Sequence, residues 1–224
     1  MIVSIILFSK NHRFSTESFI EKWFVNQNDT LATYVLEGEQ EDDDLVKGRE
    51  ALSESLGLWM MYAVEKQDAA LFGKAYSILQ KSFLDKDGFI PWKLTEAGTI
   101  EVVTNALVDD LRIIEALYQA EALWEGKNYA HTANLIASYL FEHNRKEHLL
   151  TDFYDHHYQV TSDVITLSYI NPDALKDMYE RKLLNSETYD NMLVVLTDAD
   201  VKNGFYPKSY HIGNQQYFYD RQVI

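Results

Sequence analysis

Glycine and proline are scarce in this chain, nine and three among 224 residues, well below the roughly 12 % that average usage supplies. Few positions can easily take the positive φ of a tight turn or a bent strand, so the chain is expected to run in long helices. Hydrophobic residues at 46 % and charged ones at 25 % leave enough apolar surface to offset the entropy of ordering, so the chain folds. The length suits one sizeable core.

Thirty-five Asp and Glu against twenty Lys and Arg give a formal charge of −15, with no local basic patch. Such a surface repels nucleic-acid phosphates and anionic lipid, so no nucleic acid is expected as partner and a neutral or cationic one is favoured. Cysteine is absent, which removes disulfides, thiolate metal sites and cysteine nucleophiles. The apolar run 2–8 is too short to span a bilayer and has no preceding basic residues, so 1–13 reads as an N-terminal segment, at most the remnant of an export signal. Residues 14–224 read as one helical domain, and no segment is expected to span a membrane.

The clearest helical periodicity covers 99–124, where Val103, Leu107, Leu111, Ile114 and Leu117 recur at three- and four-residue steps. Further helices are expected over 53–65, 68–84 and 129–141, with weaker ones over 16–36 and 186–196. The acidic run 37–44 reads as a solvated loop. Segments 89–94 and 160–165 alternate enough to be extended but are too short for a sheet. Helices of similar length joined by turns suggest stacked hairpins arranged as a toroid, solenoid or irregular bundle.

Asp110 stands out, because the Val103, Leu107, Ile114, Leu117 stripe sets it on an apolar helix face. A carboxylate there must be paired, hydrogen-bonded or protonated, either as a structural acid or as one facing a polar cleft. Asp109 points about 100° away and is expected to stay in solvent. Ser53 is a natural N-cap with Glu54 in the first turn, where the helix dipole favours a carboxylate. A proton-donating role for Glu54 would need desolvation or a neighbouring carboxylate such as Asp110.

Ser53-Glu54 ahead of Gly57-Leu58-Trp59-Met60, then Pro91-Trp92-Lys93, Ala106-Leu107-Val108-Asp109-Asp110-Leu111 and Ser168-Tyr169-Ile170-Asn171-Pro172 together resemble glycoside hydrolase family 8. The resemblance implies an all-α (α/α)6 toroid that hydrolyses β-linked polysaccharides with inversion. Carried over by motif, Glu54 is the general acid, Asp110 binds the sugar beside the cleaved bond, and Trp92 and Tyr169 contact substrate. Gly204-Phe205-Tyr206-Pro207 resembles the turn before the general base and Tyr219-Asp220-Arg221 resembles the base segment itself, so the resemblance implies Asp220 as that base. Asp152, Asp155 and Asp163 are the other candidates for it. Val108 departs from the first Asp of the third motif, and Asn171-Pro172 follows the aromatic residue instead of preceding it, which suggests a divergent branch acting on an exopolysaccharide. Fewer helices can be counted than the full barrel holds, so the expected toroid is incomplete.

No cofactor is expected. Asp152, Asp155, His156 and His157 cluster in sequence, yet adjacent histidines diverge on either helix or strand, so no metal site is expected either. Fifteen Tyr and four Trp suit sugar stacking, but Trp59 and Trp124 read as helix packing. The expected partner is a polysaccharide or oligosaccharide, and the resemblance favours an extracellular or cell-surface setting. The alternatives are a non-catalytic helical scaffold and a carbohydrate-binding protein without hydrolysis.

Overall fold

The computed structural model describes residues 13–34 and 46–220. The acidic run 37–44 and all of the N-terminal segment except Arg13 lie outside the described residues. Helix α1 (Ser15–Trp23) precedes three helical hairpins: α2 (Ser53–Glu65) with α3 (Ala69–Ile78), α4 (Leu107–Leu123) with α5 (Tyr129–His143), and α6 (Pro172–Glu180) with α7 (Ser186–Thr197). Within the hairpins each first helix packs on its second. Between them α2 packs on α4 and α4 on α6, so α2, α4 and α6 form an inner row. The paucity of Gly and Pro is thus realised as hairpin stacking, and the molecule is helix-rich as expected.

The core is one large cluster with α4 at its centre, beside a small second one of Phe89, Tyr139 and Tyr154. Leu107, Leu111, Ile113, Ile114, Ala116, Leu117 and Ala120 are all fully buried, so α4 has apolar contacts on nearly every side. Truncating one of its leucines to Ala would cost about 2–5 kcal/mol. Gly57 lets α2 approach α4 closely: a Cβ there would come within 3.3 Å of Arg112 Cδ and Ile113 Cγ1. Trp59 and Trp124 pack against the same cluster.

Three expected helices have different bounds. The helix expected from 99 begins at Leu107, because 103–105 run extended: Thr104 bridges Asp155, and Ala106 has the φ −132° of extended backbone. The expected helix over 68–84 ends at Ile78 and passes into a π-helical turn, Leu79–Phe83. The helix expected over 16–36 stops at Trp23, where Asn26 and Thr30 close a turn around the left-handed Asp29 (φ 68°). Helix α6 was missed, although Asn171 caps it by accepting from the Asp173 and Ala174 amides and Pro172 opens it.

The all-α expectation also needs correction, because nine short strands frame the helices among the described residues. β1 (Ala51–Leu52) pairs with β2 (Lys93–Leu94), β3 (Arg145–Lys146) with β4 (Leu149–Leu150), and β5 (Tyr154–Asp155) with β6 (Val160–Thr161). β7 (Val164–Thr166), β8 (Ser209–His211) and β9 (Gln216–Phe218) form a three-stranded antiparallel sheet. Segment 160–165 therefore does enter a sheet. Val160–Thr161 pairs locally as β6, while the partners of Val164–Thr166 come from more than 40 residues downstream, beyond the reach of local pattern. Among the described residues no helix is long and apolar enough to cross a membrane.

Candidate functional site

The inner helices start at one end of the molecule, and the acidic side chains gather there. β1 delivers Ser53 to the first position of α2, where its amide donates to the Trp92 carbonyl at 2.9 Å. The Ser53 hydroxyl lies 3.0 Å from Asp109 Oδ2 and 3.2 Å from that same carbonyl. The charged acceptor makes the stronger hydrogen bond. Arg112 Nη1, one turn along α4, donates to Asp109 Oδ1 at 2.7 Å. Asp109 therefore joins the starts of α2 and α4, with Glu54 exposed beside it.

Asp109 is 5 % exposed, which overturns its expected place in solvent. Helix α4 is buried on several faces, so a turn of 100° from the Leu107–Leu111 stripe leads to the α2 interface instead of to water. Burial pushes the Asp109 carboxyl up to about 6 against the opposing pull of Arg112 and the Ser53 hydrogen bond, and the Glu54 charge adds to the rise. The apolar residues Ile113, Ala116 and Ala120, off the expected stripe, were the sequence signal that α4 is buried on more than one face.

Asp110, expected to meet the sugar, is 2 % exposed and belongs to an internal polar network. Asn105 Nδ2 donates to Asp110 Oδ2 at 2.7 Å and to Asn144 Oδ1 at 2.9 Å, while Asn105 Oδ1 accepts from the Tyr154 amide at 2.7 Å. Asp110 Oδ1 is buried without a hydrogen-bond partner among the described residues. Burial raises its carboxyl well above the usual range, the Asn105 bond opposes this and Asp109 adds to it, so the neutral acid is favoured. Asn105 ties the segment before α4 to the β5–β6 hairpin and is braced by Asp110, and Asp109 takes the position beside Glu54.

Trp92 is half-buried, with the Lys93 ammonium 5.1 Å from its ring centroid. Tyr169 is half-buried in the 3₁₀ turn Leu167–Tyr169 that leads into α6. Burial raises its phenol, and the charges of Asp152, Asp109 and Glu54 raise it further, in that order. The charges of three carboxylates therefore act on Tyr169. Asp152 is fixed by its Oδ1 accepting from the Thr166 amide at 2.6 Å and its Oδ2 from the Thr166 hydroxyl at 2.7 Å. Burial raises its carboxyl, the Thr166 bonds oppose this, and His211 lowers it.

The remaining candidates are divided. Asp220 is exposed, two residues beyond β9. Asp155 accepts from the His157 and Tyr158 amides at 2.9 Å in a local turn, and Asp163 is exposed and paired with Lys146. His156 Nδ1 lies 3.0 Å from the Tyr139 hydroxyl, while the His157 ring contacts Tyr158. Among the described residues no three His, Asp or Glu side chains converge as metal ligands would. Asn171 is occupied as the α6 cap and by donating to Glu115 Oε2 at 2.7 Å.

No known family profile matches the sequence. Over 172 residues the chain is 41 % identical to the "Putative lipoprotein YdaJ" of Bacillus subtilis (strain 168), a match covering 77 % of this chain and 46 % of that protein. The chain thus spans about half the length of this curated relative. Among solved structures it resembles a protein described as a novel alpha-amylase from Clostridium perfringens, with TM-score 0.79 and 27 % identity over 91 % of this chain and 59 % of that one. PssZ from Listeria monocytogenes is similar at TM-score 0.74 and 27 % identity, covering 92 % of this chain and 58 % of that one. The endoglucanase Cel10 of Klebsiella pneumoniae, a family 8 glycosyl hydrolase, shares the fold at TM-score 0.65 and 18 % identity over 87 % of this chain and 63 % of that one.

Proposed function

We propose that this chain is the helical body of an inverting glycoside hydrolase that acts on a polysaccharide, a β-linked glucan, chitosan or bacterial exopolysaccharide, and is built as part of an (α/α)6 toroid. The observation that carries the reading is the gathering of Glu54, Asp109, Asp152 and Tyr169 at the starts of the inner helices, with the Trp92 carbonyl accepting from Ser53. The likeness in fold to carbohydrate-cleaving enzymes supports it.

Inversion needs an acid on one side of the glycosidic bond and a base on the other, with the carboxyls about 6.5–9.5 Å apart. In this reading Glu54, exposed at the start of α2, gives its proton to the leaving glycosidic oxygen. Asp220 takes a proton from the water whose oxygen attacks the anomeric carbon. Asp109, buried and held by Arg112 and Ser53, sets its negative charge beside the positive charge that develops on the ring. Trp92 packs on the sugar's C–H face and Tyr169 donates to a hydroxyl.

Replacing Glu54 with Gln keeps the shape and removes the proton, and is expected to lower release of reducing sugar by about 10²–10⁴-fold. The panel is starch, β-glucans, xylan, chitosan and bacterial exopolysaccharides. Unchanged turnover on the polymer that the parent protein cleaves would remove Glu54 from the acid's role. The exposure of Asp220 beyond β9 favours a second reading, carbohydrate binding without cleavage, for which a glycan array gives binding while no product forms.

A further inference from the structure

The three-stranded sheet has two unlike faces. Register pairs Ile165 with Tyr210 and Tyr210 with Tyr217, and these three side chains turn inward against the core. The alternate positions are in register as Thr166, Ser209 and Phe218, and as Val164, His211 and Gln216, so they share the outer face. The His211 and Phe218 rings lie 4.0 Å apart between centroids, and Phe218 is 40 % exposed. Gln216 is exposed next to them. At the β7 edge of this face the Thr166 hydroxyl and amide hold the Asp152 carboxylate, and Asp152 in turn lies beside Tyr169 in the acidic cluster.

An aromatic face with an acceptor-only carboxylate at its edge suits one ligand chemistry. The C–H face of a pyranose packs on an exposed ring, and its hydroxyls donate to a carboxylate already oriented by other hydrogen bonds. Thr166 and Phe218 flank the buried Ser209 on this face, two strands apart at about 9.5 Å by ordinary sheet spacing, a separation that a sugar ring lying across the sheet would bridge from the carboxylate to the aromatic pair. An anionic sugar would meet Asp152 unfavourably.

We infer that the outer face of the β7–β8–β9 sheet, through Phe218, His211, Gln216 and Asp152, is a second sugar-binding surface that takes a neutral pyranose unit of the same chain whose neighbouring unit lies at Glu54. This deepens the glycosidase reading and rests on it for the identity of the polymer. The two are separable, because the surface is read by binding and Glu54 by turnover.

The test uses the Glu54→Gln chain, with calorimetric titration by cellohexaose, laminarihexaose, maltohexaose and a chitosan hexamer, and by the corresponding disaccharides. For the hexasaccharide that binds tightest, Phe218→Ala is expected to raise Kd about tenfold, as loss of one stacking contact would. Phe218→Tyr is expected to keep the parent's affinity, Phe218→Leu to resemble Ala, and Asp152→Asn to weaken binding at constant fold. Circular dichroism and the melting temperature serve as the fold control, and the exposure of Phe218 makes a folded variant the expected outcome. Hexasaccharide affinities of Phe218→Ala and Phe218→Leu within twofold of the parent's overturn the inference, and so does absence of binding by every hexasaccharide. If the unsubstituted chain cleaves a polymer while Phe218 proves irrelevant to binding, the surface falls and the glycosidase stands. Binding that depends on Phe218 without any product leaves the surface standing and ends the glycosidase.

Discussion

Asp109 is the residue at which chemistry and stability pull apart. Its carboxyl titrates at about 6 in the folded chain against 3.8 for an ordinary aspartate, so the folded state holds the proton more tightly than the unfolded one. Its contribution is fully present below pH 3.8 and is lost as pH rises through 6, a cost at neutral pH on the order of 3 kcal/mol. Replacing Asp109 with Asn removes that titration. The melting temperature of the variant relative to the parent is expected to climb as pH goes from 4 to 7, and a flat difference across that range would show that Asp109 titrates as in the unfolded chain. Activity on the cleaved polymer is expected to fall in the same variant. That acids would gather near Glu54 was legible in the sequence, but which of two adjacent aspartates would do so was not. A single stripe told which side of α4 was apolar, and only the α2 interface told that the next side was buried too.

At the scale of elements, α1 is attached in an unusual way. Its one buried side chain is Glu17, while Phe19 is 53 % exposed and cavities of about 470 and 410 Å³ flank the helix beside Trp59. Glu17 accepts from the Tyr62 hydroxyl at 2.6 Å and from Lys66. Burial pushes its carboxyl up, but the bonds from Lys66, Tyr62 and the Phe14 amide hold it below the usual range. The anchorage is therefore present above the unfolded pKa and is lost as pH falls through the lowered one. Glu17→Gln is expected to speed hydrogen exchange of the α1 amides at neutral pH while leaving α4 protected. Equal protection of α1 in both proteins would show that the carboxylate does not hold the helix. Helix α7, whose apolar stripe and Asn185 cap agree, was legible nearly to the residue, and so was α2, although Leu52 instead of Ser53 stands at its N-cap position and no side chain caps it. Boundaries failed where a long-range contact stopped the helix, as Thr104 does by bridging Asp155. The β7–β8–β9 sheet was hidden because its strands are three residues each and β7 lies far in sequence from the β8–β9 hairpin.

For the whole molecule the net charge of −15 acts on whatever approaches. At low ionic strength the Glu54→Gln chain is expected to bind polygalacturonate more weakly than a neutral glucan of equal length, with the gap closing as salt is raised towards about 0.5 M and the Debye length shrinks below about 5 Å. Preference for the polyanion at low salt would contradict this. The row of hairpins carries one more consequence, a rule of parity. Because α2, α4 and α6 all begin on the same side, the chain returns there only after an even number of helices. Excising a complete pair would shorten the row and keep the polarity of everything downstream. Excising or inserting a single helix would reverse every later one and send its leading residues, Asn171 and Tyr169 among them, to the far side. Viable length variants of this architecture should therefore differ by twos.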